Sequence, residues 1–129
     1  MSRDVEQNGD HGDAPGHAWF QVEQMGGSAV VHAGGELDTR TVHGFDEAVT
    51  EAASLSAHVV IDLSQVTFVD SSGLGALIVA RKAARERGGS MSLVSPPPMV
   101  RRLLGSTQLH DVFAIHDSLA EAINAPTEL

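Results

Sequence analysis

Hydrophobic positions along the chain follow two rhythms, and each change from one to the other marks an element. Trp19-Phe20-Gln21-Val22-Glu23-Gln24-Met25 and Ala29-Val30-Val31-His32-Ala33 flank Gly26-Gly27, a dipeptide that tolerates the positive φ angles of a tight turn, and the pair predicts a β-hairpin. After a connection through Gly34-Gly35-Glu36-Leu37-Asp38, the residues Val42, Phe45, Val49 and Ala52 or Ala53 mark one helical face that ends near Leu55, with Asp38 or Thr39 as its cap. Val59, Val60, Ile61 and Leu63 surround Asp62 in a nearly continuous apolar run, the pattern of a strand covered on both faces. From Leu74 onward the spacing turns helical through Leu74, Leu77, Ile78 and Ala84, and Asp70 or Ser71 is the natural N-cap. Gly88-Gly89 stops that helix.

Three shorter elements follow. Ser90-Met91-Ser92-Leu93-Val94 reads as a strand. Pro96-Pro97-Pro98 suits the first turn of a short amphipathic helix carrying Met99, Val100, Leu103 and Leu104 and closed by Gly105. Val112-Phe113-Ala114-Ile115 is a last strand, and Ser118-Leu119-Ala120-Glu121 has capping-box spacing for a closing helix. The order ββαβαβαβα predicts an α/β fold. Its central mixed, largely parallel sheet has about five strands, opens with the antiparallel hairpin and is covered by about four helices. Residues 1–17 are polar and acidic with Gly9, Gly12, Pro15 and Gly16, which predicts a flexible arm; one domain then spans 18–124, with a short tail over 125–129.

Composition narrows the function. The chain has 129 residues, enough for one domain with a real core, and no cysteine, which removes disulfides, thiolate metal sites and thiol catalysis together. Neither a membrane-length apolar run nor the apolar core of a signal peptide is present, so the expected location is the cytoplasm. The net charge of −9 has an uneven origin: residues 1–62 hold eleven Asp/Glu against Arg3 and Arg40, and the remainder holds six of each sign. Acidic balance argues against general nucleic-acid affinity. Arg81, Lys82, Arg85 and Arg87 fill the last turns of their helix, where cations suit the dipole, and read as a solvated face.

Catalytic constellations fail one by one. Gly73-Leu74-Gly75-Ala76-Leu77-Ile78 has Ile78 where a dinucleotide fingerprint needs its third glycine, and no phosphate-loop motif exists. Ser71 and Ser72 lack the glycines of a nucleophile elbow, and the seven histidines form neither HExxH nor an i,i+4 ligand pair. What remains is a hydroxyl beside a carboxylate at a helix start. A phosphate there adds about −1.5 to −2 charge, and free N–H groups and the positive dipole end are expected to receive it. A partner presenting a carboxylate to that surface would be repelled by about 1–3 kcal/mol per unit pair at ~6 Å. Spacing alone does not choose between Ser71 and Ser72.

Gly35-Glu36-Leu37-Asp38, Val60-Ile61-Asp62-Leu63-Ser64 and Phe68-Val69-Asp70-Ser71-Ser72-Gly73-Leu74-Gly75 together resemble the STAS domain of bacterial anti-sigma factor antagonists, over about residues 18–124. The resemblance implies a STAS-like fold and a protein that binds an anti-sigma factor when unphosphorylated, freeing a sigma factor for transcription. It implies that the anti-sigma factor is also an ATP-dependent serine kinase, that the serine after the motif aspartate, Ser71, is the phosphorylated residue, and that a phosphatase restores the active form. Asp38, Thr39, Asp70, Ser72, Gly73, Leu74 and Gly75 are then the partner-facing residues around Ser71. No catalytic activity, metal or cofactor of its own is implied, since the ATP is used by the partner kinase; neither nucleic acid nor membrane is a partner. A structural STAS subunit of a larger signalling or transport assembly, with Ser71 as a plain cap, is the alternative.

Overall fold

The computed structural model describes residues 17–125. Nearly all of the expected arm over 1–17 and tail over 125–129 lies outside them. Strands β1 (Ala18–Met25), β2 (Ser28–Leu37), β3 (His58–Val69), β4 (Ser90–Val94) and β5 (Ala114–His116) form one sheet in sequential order, β1 antiparallel to β2 and the rest parallel. Helices α1 (Val42–Leu55), α2 (Ser71–Glu86), α3 (Pro98–Ser106) and α4 (Leu119–Asn124) complete it. The three crossover helices pack on one face of the sheet, because each parallel step between neighbouring strands takes the same hand. That face carries the main core, in which Phe45, Ile61, Leu63, Leu77, Leu93 and Leu104 are wholly buried. Among the described residues the opposite face is covered only in part, where α4 sets Ala122 and Leu119 against Val30, Val60 and Val94.

Several boundaries move for identifiable reasons. β2 runs on through Gly34-Gly35-Glu36-Leu37, a stretch whose glycines read as a connection. Gly34 is there because Trp19 lies across it: a Cβ would sit 2.2 Å from the indole. Beyond Asp62, β3 pairs only with β2 among the described residues, through two register irregularities. The carboxylate of Asp62 accepts from Ser64 N at 3.0 Å where the first irregularity occurs. The last strand begins at Ala114 rather than Val112, because Val112 and Phe113 donate backbone bonds to Leu109 O in the turn after α3, and Phe113 is drawn into the core. The sequence places Gly88-Gly89 correctly as a stop: Gly88 N reaches Arg85 O at 3.0 Å and Gly89 N reaches Ala84 O at 2.9 Å, with Gly88 at φ 81°, a Schellman arrangement.

Two sequence expectations about helix residues need correction. The cap of α1 is Thr41, not Asp38 or Thr39, and its hydroxyl makes no capping bond because it donates to Glu36 O at 2.6 Å and accepts from Asp38 N at 3.0 Å. Ile78, read as part of the buried stripe of α2, is exposed along with Val79. The stripe that is buried runs through Leu74, Leu77, Ala80 and Ala84.

Candidate functional site

The C-terminal ends of β2 and β3 deliver two segments to the same place: the connection from β2 to α1, containing Asp38 and Thr39, and the start of α2. They are tied by backbone and side chain. Asp70 N donates to Leu37 O at 3.2 Å, and the hydroxyls of Thr39 and Ser72 lie 2.9 Å apart. Gly73 lets the helix start come this close. A Cβ on it would lie 2.4 Å from Leu37 O, whereas Gly75, two residues further on, meets nothing within 4 Å. The two motif glycines thus have different surroundings, and Leu74 between them points into the core.

Asp70 is the N-cap. Its Oδ1 accepts from Ser72 N at 2.8 Å and Gly73 N at 3.1 Å, and its carbonyl takes Leu74 N at 2.9 Å. This resolves the choice between Asp70 and Ser71 and corrects the expectation that the first-turn N–H groups stand free for a phosphate. The cap carboxylate already occupies two of them, Ser72 N and Gly73 N.

The two serines differ in a way that spacing could not reveal. Ser71 is exposed, and its hydroxyl has no hydrogen-bond partner among the described residues. Ser72 is half-buried, and its hydroxyl is engaged by Thr39. Asp38 directs its carboxylate inward along the loop: Oδ1 accepts from Arg40 N at 3.0 Å and Oδ2 from Arg40 Nη2 at 2.8 Å. The Arg40 guanidinium, which also reaches Glu36 Oε1 at 3.0 Å, is the main reason the Asp38 carboxyl is held below its ordinary range. Asp38 therefore shapes the loop, which exposes Thr39 and Arg40.

Around Ser71 the surface has an apolar component the sequence reading passed over. Val79 is 65% exposed, Ile78 39% and Phe68 44%. Ser71, Gly75, Ile78 and Val79 and Lys82 succeed one another at helical spacing along one outward face of α2, which the burial pattern alone separates from the buried stripe. A hydrophobic residue in a helix is read as core by default, and only the direction of the packed face shows these to be surplus.

The STAS domain profile matches residues 20–122. An anti-sigma F factor antagonist of Paenibacillus polymyxa is 34% identical over 114 residues, covering 85% of this chain and 93% of its own. An anti-sigma-B factor antagonist of Bacillus subtilis is 30% identical over 94 residues, covering 73% of this chain and 86% of its own. The crystal structure of an anti-sigma factor antagonist from Mycobacterium paratuberculosis superposes with a TM-score of 0.74 at 31% identity, over 87% of this chain and 96% of that one. The mixed five-stranded sheet with four helices is the architecture expected from the sequence.

Proposed function

This chain belongs to the STAS domain family, and on that footing we propose that it is an anti-sigma factor antagonist gated by phosphorylation of Ser71. Unphosphorylated, it binds an anti-sigma factor with serine kinase activity through the surface around the α2 start, and the sigma factor held by that partner is released. The kinase supplies the ATP and transfers its γ-phosphoryl group to Ser71 Oγ, which loses its proton; a phosphatase reverses the modification. The protein contributes no catalysis of its own, and it works in the cytoplasm, where its partners are.

The single observation carrying this reading is the contrast between two adjacent serines. Ser71 offers an exposed, unpartnered hydroxyl, as a kinase acceptor must, while the Ser72 hydroxyl is engaged by Thr39. Thr39, Ser72 and the apolar patch of Ile78 and Val79 give the neighbouring contact area. Small exposed apolar groups beside polar ones suit a reversible interface better than an obligate one. Phosphorylation works there by charge. The phosphate stands beside the Asp70 carboxylate with the Ser72 and Gly73 N–H groups already taken, so a partner carboxylate approaching to ~6 Å meets repulsion of about 1–3 kcal/mol per unit charge pair, a severalfold to hundredfold loss of affinity.

The test is to incubate the protein with its kinase and ATP, locate the phosphate by mass spectrometry, and measure partner affinity for the unmodified protein, Ser71→Ala and Ser71→Asp. Phosphate on Ser71, none on Ser71→Ala, and weak binding by Ser71→Asp are expected. Phosphate on Ser72, or Ser71→Asp binding as tightly as the unmodified protein, refutes the gate.

A further inference from the structure

At the opposite end of the sheet from Ser71, where β2, β3, β4 and β5 begin, there is a cavity of about 370 Å³. Its lining is chemically unlike the rest of the molecule. The chain carries a net charge of −9, yet among the described residues no Asp or Glu lines the cavity, which instead holds Arg81 and Arg85, His58 and His116, and serines including Ser28. Arg81 and Arg85 lie one turn apart on the last turns of α2 and make no ion pair among the described residues. Arg40 and Arg101, by contrast, are each paired with a carboxylate. Ser28 is only 5% exposed, and its hydroxyl has no hydrogen-bond partner among the described residues. A buried hydroxyl without a partner costs stability unless something supplies one. The remaining wall is aliphatic, from β3, β4 and α4.

We propose that this cavity is a binding site for a small organic phosphate monoester, its phosphate held by Arg81 and Arg85 and its organic body seated against the serines and the aliphatic wall. Guanidinium groups match phosphate oxygens through paired N–H donors, and no carboxylate among the described lining residues opposes that attraction. The cavity lies at the lower end of the usual range for small-molecule sites, about 300–1,000 Å³, and is larger than an inorganic phosphate needs. The site is independent of the Ser71 surface, since α2 separates Ser71 from Arg85 by about 21 Å of helix axis at ~1.5 Å per residue. Of these basic residues Arg81, half-buried, and Arg85, still exposed as the solvated-face reading expects, line the cavity, and Lys82 and Arg87 lie outside the lining.

The full-length protein titrated with ribose 5-phosphate, inorganic phosphate and ribose, by calorimetry and by amide chemical shifts at fixed ionic strength, tests the proposal. Ribose 5-phosphate is expected to bind most tightly, with shifts confined to the cavity residues; ribose should not bind. R81Q/R85Q should weaken ribose 5-phosphate at least tenfold. Ser28→Ala, which removes one hydroxyl and no packing, should weaken it severalfold and keeps the test available if the double variant folds poorly. No binding of ribose 5-phosphate, or binding that R81Q/R85Q and Ser28→Ala both leave unchanged, overturns the site. Equal affinity for inorganic phosphate overturns the organic body.

Discussion

Replacing Gly73 and Gly75 by alanine, one at a time, separates packing from helix propensity at the heart of the motif. Both glycines lie in the first turns of α2, and in an unobstructed helix either change is worth about 0.8–1.0 kcal/mol of added stability. At Gly75 nothing lies within 4 Å of the new methyl group, and that gain should appear nearly in full. At Gly73 the methyl would lie 2.4 Å from Leu37 O and 2.8 Å from Leu37 Cβ, so the helix start or the strand end must move by at least about 0.6 Å to reach the shortest contact real side chains show. Neither side yields easily. Leu37 is 1% exposed in the core, and its carbonyl is the acceptor for Asp70 N. Overpacking of this kind costs about 1–3 kcal/mol, and weakening the Asp70–Leu37 bond about 1 more. Gly73→Ala should therefore lose about 1–3 kcal/mol net, a gap of about 2–4 kcal/mol from Gly75→Ala. Urea unfolding followed by far-ultraviolet circular dichroism reads this directly: with a slope of about 2 kcal/mol per molar, the Gly73→Ala midpoint should fall by about 0.5–1.5 M and that of Gly75→Ala rise slightly. If Gly73→Ala is as stable as the parent, the close approach of α2 to β2 is not what requires the glycine, and the account of the site's assembly fails.

Asp70→Ala should cost about 1–2 kcal/mol by stranding two N–H groups, while Asp70→Asn, which keeps a capping oxygen, should stay within about 0.5 kcal/mol; thermal melts compare them. Val79→Asp should leave the melting temperature unchanged, because the side chain is 65% exposed, yet weaken binding to the anti-sigma factor in a pull-down or calorimetric titration. The partly covered sheet face carries a pH-dependent contact, His32 with Asp62 at 2.8 Å and Glu23 at 2.9 Å. Burial pulls the His32 imidazole down, but the bonds to the two carboxylates outweigh it and hold it above 6.5; burial raises Asp62, and its bonds from Ser64 and His32 prevail and keep it below 3.8. The histidine contribution is thus full below its unfolded value and disappears as pH rises through the folded one, whereas the Asp62 contribution is present above 3.8 and lost in acid. Glu23 and part of His32 face solvent, so His32→Gln should flatten the stability profile as pH rises above 6.5 by no more than about 1 kcal/mol, measured by melting temperature against pH.

Much of this molecule is set by patterns that act over a few residues. Val59 through Leu63 suit a strand covered on both sides, Asp70 has the chemistry to cap the helix that follows, and Gly88-Gly89 the freedom to end it. These are local preferences of side chains for backbone conformations, and they carried the element order, the mixed sheet and the neighbourhood of Ser71. What the linear pattern left open was every question of direction and distance. Asp38 and Thr39 looked like caps until the loop turned the Thr41 hydroxyl and the Asp38 carboxylate back on the loop itself. Ile78 looked buried until the packed face of α2 was seen to pass it by. Arg81 and Arg85 read as a solvated face, and that they also line a cavity follows only from α2 returning its last turns to the start of β3 and β4. Ser71 and Ser72 are chemically identical neighbours in sequence. They were distinguished by Thr39, brought from 33 residues away to hold one hydroxyl and leave the other to solvent, because hydrogen bonds between remote segments exist only once the sheet has set where those segments meet.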